Sequence, residues 1–192
     1  MKRFLLSRQS LYWVVAGLIL GGILHILAVL TTPLTADETA MARIADAAPV
    51  NAATVLPPAR PETQLFAYMA PDVRYVLCRF DISKDPVAVR TPLLEPSWSI
   101  ALYDENGDNF YAITGADLQR REAELVLALS EDGSTALPFG NDAPTTAITV
   151  SVPSRTGLLV IRAPAGAPAR EREIAQALAQ VVCGVKAGLK SG

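Results

Sequence analysis

From Leu11 to Leu30 the chain reads LYWVVAGLILGGILHILAVL, twenty residues in which His25 is the only side chain that titrates near neutral pH. At ~1.5 Å per residue such a helix spans about 30 Å, the thickness of bilayer hydrocarbon. A cleavable signal peptide is the competing reading, but its apolar core runs only about 7–15 residues and ends at a small-x-small cleavage site. TTPLTADETA follows Leu30 and offers no well-placed Ala-x-Ala, so an uncleaved anchor is expected. Lys2, Arg3 and Arg8 precede the helix, and the next basic residue is Arg43. Cationic flanks stay on the cytoplasmic side, so the spacing predicts residues 1–10 inside and everything after residue 30 outside. Tyr12 and Trp13 lie at the inner end, where amphipathic rings settle among headgroups.

Setting those three flanking cations aside leaves 14 of the 17 basic residues against 19 acidic ones, a formal charge of −5 outside the membrane. Nucleic acid and anionic lipid both demand a basic footprint, so neither is expected as the main partner. Both cysteines, Cys78 and Cys183, follow the anchor. In an oxidising compartment the economical reading is a disulfide closing a loop of about a hundred residues, stabilising by about 4–5 kcal/mol. Two buried free thiols are the competing reading. Two thiols and one intramembrane imidazole do not make a tetrahedral zinc set, and no cofactor is expected.

Along the outer part, TADETAMARIADAAP reads as a short helix, with Thr35 and Glu38 as a capping box and Met41, Ile44, Ala45 and Ala48 on one face. PVNAATVLPPARPETQ holds four prolines and reads as an extended surface linker. From Asp72 the period changes to two. In RYVLCRF, Val76, Cys78 and Phe80 alternate with Tyr75, Leu77 and Arg79. VAVRT, bordered by Pro86 and Pro92, is a second strand. SWSIALY places Trp98, Ile100 and Leu102 on one face, and DENGDN turns the chain into FYAIT as a hairpin. EAELVLALS fits either a strand or a short helix. AITVSV and GLLVIRA, joined through PSRT, read as a further hairpin. PAREREIAQALAQVVCG reads as a closing helix with a stripe of Ile174, Leu178, Val181 and Val182, Pro168 in its first turn and Gly184 at its C′ position. On an ideal helix Cys183 points away from that stripe, so the disulfide requires the last turn to unwind.

Gly17, Gly21, His25 and Ala28 fall at i, i+4, i+8 and i+11 of the anchor, one narrow stripe of small residues and an imidazole. Such a stripe lets a second membrane helix approach, a partner protein or a second copy, and His25 could hydrogen-bond across the contact. A neutral histidine shifted towards the headgroups, with glycines of no consequence, is the bland alternative. The loop from Asp104 to Asn109 alternates oxygen ligands as calcium loops do, but Asn109 stands where glycine is needed and Gly115 where a bidentate Glu is needed, so a plain turn is expected. Tyr103 and Tyr111 are candidates for lining a small-molecule groove. No catalytic residue is assigned: the outer part has no histidine, no Gly-x-Ser-x-Gly elbow and no Walker loop.

Gly21-Gly22-Ile23-Leu24-His25-Ile26, Cys78-Arg79-Phe80-Asp81, the run from Trp98-Ser99 through Tyr103-Asp104 to Gly107-Asp108-Asn109-Phe110-Tyr111, and the terminal Cys183 together resemble a known family. It is the small single-pass envelope proteins of alphaproteobacteria catalogued under the domain of unknown function numbered twelve fifty-four. The likeness runs from the anchor to about Thr114 and resumes from about Ala147 to Cys183. It implies a bacterial inner-membrane anchor, a periplasmic domain and a companion jelly-roll-like envelope protein, and it carries no catalytic residues.

The expected protein is therefore α+β: a transmembrane helix (11–30), a short helix and Pro-rich linker (31–65), a mainly antiparallel, sandwich-like domain with flanking helices (66–184) and a tail (185–192). Its expected role is an interaction or scaffold subunit of an envelope complex. A periplasmic small-molecule-binding domain is the alternative.

Overall fold

The computed structural model describes residues 8–32, 40–66, 68–129, 147–165 and 168–186. They fall into two units, one ending at Thr39 and a compact one beginning at Ala40. In the first, α1 (Arg8–Thr31) is a 24-residue helix with no buried residue. It is apolar and long enough to cross a membrane. The Thr35/Glu38 capping box lies outside the described residues.

The compact unit is a two-sheet α+β sandwich. One sheet has the order β1-β2-β8-β4-β5 and the other β7-β6-β3-β9. In chain order the strands are β1 (Ala53–Val55), β2 (Val73–Asp81), β3 (Val87–Pro92), β4 (Ser99–Tyr103), β5 (Asn109–Thr114), β6 (Glu122–Leu129), β7 (Ala147–Val152), β8 (Thr156–Pro164) and β9 (Val182–Val185). The helices of this unit are α2 (Ala40–Ala47), the single turn α3 (Gly115–Leu118) and α4 (Glu171–Leu178). Every named strand pair is antiparallel except β6 with β7, which run parallel.

Period-two patterning supplies the core. Val76, Cys78 and Phe80 of β2, Ile100 and Leu102 of β4, and Leu159 and Ile161 of β8 face Val87, Val89, Leu125, Leu127, Val150 and Val152 of the other sheet. The opposite face of the first sheet is also covered. Leu77, Leu158 and Val160 pack under Ile44 of α2, Ala48 just past its end, Leu56, and partly buried Leu65, Phe66 and Met69. This second layer corrects the reading of 49–64 as a surface linker. The prolines punctuate the segment without stopping it from pairing: Ala53–Val55 registers with Val76–Cys78, and the Leu56 N–H donates to the Tyr75 carbonyl at 2.9 Å. The compact unit accordingly starts at Ala40, ahead of residue 66.

Two further expectations are corrected. AITVSV and GLLVIRA are not a hairpin, because β7 pairs with β6 while β8 pairs with β2 and β4 in the other sheet. The short link after Val152 crosses between sheets, and the Arg155 carbonyl receives the Ile82 N–H at 2.9 Å. The closing helix stops at Leu178, and Val182–Val185 joins β3 as an edge strand. Val181, Val182 and Val185 are β-branched, better suited to a pleated surface than to another helical turn. Leaving the helix resolves the geometry of Cys183, which bonds to Cys78 with 6.3 Å between their Cα atoms. The bond ties β2 of one sheet to β9 of the other. Helix α4 sits over the sandwich through Ile174, Ala177 and Leu178, and the pairs Arg74–Glu171 and Arg170–Glu95 hold its start.

The DENGDN hairpin forms as expected. Asp104 organises it: its carboxylate accepts from the Asn106 N–H at 2.9 Å and the Asp108 N–H at 2.8 Å. Gly107 supplies the positive φ, 89°. A tighter requirement falls on Gly157, paired directly opposite Phe80. A Cβ there would sit 2.4 Å from the Phe80 ring and 2.4 Å from the Tyr103 carbonyl oxygen. The ring is fully buried and the oxygen is backbone, so neither yields freely. Gly157→Ala is expected to cost about 1–3 kcal/mol, the range for overpacking a tight core. Chemical denaturation checks this, and an unchanged midpoint would show that the β2–β8 seam gives way without strain.

Candidate functional site

The ends of β2 and β8 leave an open hollow on the helix-covered face of the first sheet. Arg79 and Asp81 are two apart on β2 and so share that face, with Thr156 registered opposite Asp81. Met41 of α2, Val50 and the hairpin residue Glu105 complete a cleft of about 370 Å³. Val50 is bridged to Arg79, and the next residue, Asn51, has φ +54°. The Asn51 side chain copies a strand partner: Nδ2 donates to the Asp81 carbonyl at 3.1 Å and Oδ1 accepts from the Asp81 N–H at 2.8 Å. An adjoining hollow of about 210 Å³ lies on the other side of this clasp and shares Val50 and Asp81, with Lys84 and Asp85 on its wall.

The charges in the cleft differ in how they are held. The Ser83 N–H donates to the Asp81 carboxylate at 2.9 Å. Hydrogen bonds from Ser83, aided by the Lys84 ammonium, keep Asp81 below the usual carboxylate range. Glu105 accepts a long contact of 3.5 Å from the Thr156 hydroxyl. Arg79 is partly buried, and among the described residues its guanidinium has neither an ion pair nor a side-chain hydrogen bond.

The residues singled out in the sequence are placed elsewhere. Tyr103 packs in the outer layer with Leu158 and Val160, and its phenol oxygen accepts from Arg162 at 2.8 Å. Tyr111, registered opposite Leu102, packs against the sandwich core. Burial, reinforced by the Asp117 carboxylate, raises the Tyr111 phenol above its ordinary pKa. The two tyrosines thus lie on opposite faces of one sheet and do not line a shared groove. A β-bulge after Leu102 accompanies this placement. Gly17, Gly21, His25 and Ala28 all lie exposed along α1, and a Cβ added at Gly17 or Gly21 would meet nothing within 4 Å. The groups of the cleft were partly visible in the string Cys-Arg-Phe-Asp. An arginine and an aspartate two apart on a strand whose other face is apolar must emerge side by side on the outer face.

The fold and site define a two-sheet α+β domain with an apolar helix ahead of it and an open, charged cleft at one end of its outer face. The crystal structure of the VPA0106 protein from Vibrio parahaemolyticus is similar, with a TM-score of 0.50 and 14% identity over 72% of this chain and 31% of that one. The crystal structure of a putative uncharacterized protein from Burkholderia cenocepacia aligns with a TM-score of 0.44 and 15% identity over 71% of this chain and 34% of that one. The chain spans about a third of the length of these solved proteins. No curated protein matches the sequence. The family model described as protein of unknown function (DUF1254) matches residues 50–183, and the chain belongs to that family.

Proposed function

We propose that this protein is an inner-membrane-anchored periplasmic domain acting as an interaction or scaffold subunit of an envelope complex. The observation that carries it is α1: 24 residues, none buried, with an apolar surface all round. A helix hydrophobic on every side needs lipid or another helix around it. The Lys2, Arg3 and Arg8 flank sets the N-terminus inside, which leaves the sandwich in the oxidising compartment where a Cys78–Cys183 bond persists. The proposed companion is a jelly-roll-like envelope protein, of the kind the family resemblance implies.

The Gly17/Gly21/His25/Ala28 stripe is the contact through which α1 engages a membrane partner or a second copy. Its open glycines admit a close backbone approach, and His25 offers a polar group that is costly to leave facing lipid. The test is purification from native membranes in mild detergent, with the mass and composition of the eluting species measured beside the Gly21→Leu/His25→Leu double variant. The variant is expected to weaken the association by on the order of tenfold, in keeping with interhelical hydrogen bonds and small-residue packing of about 1–2 kcal/mol. A wild-type chain that elutes alone, at the mass of one copy, would remove the scaffold reading.

A further inference from the structure

We propose that the cleft between α2, the β4–β5 hairpin and the ends of β2 and β8 binds a small zwitterion, of the class of α-amino acids with an aliphatic side chain. The inference is independent of the scaffold reading and rests on residues of the compact unit, none of them in α1.

Size comes first. About 370 Å³ is at the small end of ligand sites and accommodates a molecule the size of an amino acid. The second consideration is which charges are free to act. Arg79 has no partner of its own among the described residues, so its five N–H donors are available in a planar fork suited to a carboxylate. Asp81 and Glu105 share the lining and are acceptors only when ionised. Lys84 acts on Asp81 from the adjoining hollow, which leaves Glu105 as the acidic group least offset by a neighbouring cation.

The balance of those charges selects the ligand. A simple anion could pair with Arg79 but would meet two carboxylates, on a domain whose acidic residues outnumber its basic ones. A simple cation could pair with Glu105 and Asp81 but would have to lie against the Arg79 guanidinium. A molecule with both charges a few bonds apart satisfies both sides and leaves neither facing a like charge. Met41 and Val50 form the apolar rim, which favours an aliphatic substituent over a polar one. The Asn51 clasp fixes the backbone of Asp81, so the acidic side of the cleft is held by two hydrogen bonds before any ligand arrives.

Three probes of nearly one shape separate the possibilities: leucine, 3-methylbutylamine, which is leucine without its carboxylate, and 4-methylpentanoate, which is leucine without its ammonium. Each is titrated by calorimetry and by ligand-observed NMR into the full-length protein in detergent. Leucine is expected to bind at least about tenfold more tightly than either analogue. Arg79→Gln should abolish most of the preference for leucine over the amine, and Glu105→Gln most of the preference for leucine over the acid. Glu105 is exposed and Arg79 partly buried, and circular dichroism and the denaturation midpoint of each variant establish that it folds. Equal affinity for the three probes, no saturable binding up to about 10 mM leucine, or preferences that survive both variants would each overturn the proposal.

Discussion

Replacing Cys78 and Cys183 together by alanine is expected to lower the stability of the compact unit by about 4–5 kcal/mol, the figure for releasing a loop of this length in the chain-entropy treatment. The two residues are 105 apart in sequence, so the bond removes an unusually large set of conformations from the unfolded chain. Its position adds to the effect. Cys78 lies in the core between Val76 and Phe80, whereas Cys183 belongs to a four-residue edge strand held by β3 alone. A short edge strand with one neighbour frays easily, and the covalent tie to the opposite sheet keeps it docked. Domains of this size have only about 5–15 kcal/mol in total, so the double variant should be close to the limit of folding at physiological temperature. Guanidinium denaturation of the variant, beside the parent with and without reductant, measures the difference. Parent and variant that unfold at the same midpoint would mean that packing alone closes the two sheets.

Trp98 is the second position of large effect, because it opposes two terms of similar size. It is completely buried and is the largest such side chain, and its indole N–H has no hydrogen-bond partner among the described residues. Its backbone is pinned, with the N–H donating to the Glu95 carbonyl at 3.1 Å and the carbonyl accepting from the Gly115 N–H at 2.8 Å. Trp98→Ala should therefore leave a cavity that the surroundings cannot collapse, at a cost of about 3–5 kcal/mol. Trp98→Phe removes less volume, about 1 kcal/mol by the same reasoning. It also removes a buried donor whose burial without a partner costs about 1–3 kcal/mol. The expected result is a phenylalanine variant within about 1 kcal/mol of the parent, well above the alanine variant. A phenylalanine variant as damaged as the alanine one would show that the indole N–H is satisfied in solution.

The strands legible in the sequence are those whose two faces differ in polarity. RYVLCRF and SWSIALY alternate because one side of each meets the core, and the burial of Leu77 and Ala101 on the opposite side is what that alternation does not show. The closing strand was hidden by Ile174, Leu178, Val181 and Val182, which continue a helical stripe across a chain that has already left the helix. The false β7–β8 hairpin had the turn residues of a true one. Only the register with distant strands assigns the two runs to different sheets, and that register is a tertiary property. The Pro-rich segment misled because proline removes donors, while Ala53, Thr54 and Val55 between the prolines keep theirs. The cleft was the least legible feature. Met41, Val50, Arg79, Glu105 and Thr156 come from five separate stretches, and only the Arg79/Asp81 pair was local enough to be seen. The tyrosine pair does not share a face because Tyr111 is registered opposite Leu102, the core-facing neighbour of Tyr103, and that register is not written in residue periodicity.

The strand order has a consequence for how the chain reaches this fold. The longest pairing in the first sheet joins Val73–Asp81 to Thr156–Pro164, and β8 is also the strand against which β4 lies. Until residue 164 has been made, β2 and the β4–β5 hairpin lack the strand that belongs between them. A chain emerging from its N-terminus would hold both with open hydrogen-bonding edges and bare apolar faces until β8, which begins 75 residues after the end of β2, has followed. Such delayed, non-local pairing slows folding and exposes surfaces prone to wrong association. The insertion of β8 between the waiting elements is then the commitment step, and oxidation of Cys183, farther along the chain, can only seal what that insertion has already arranged.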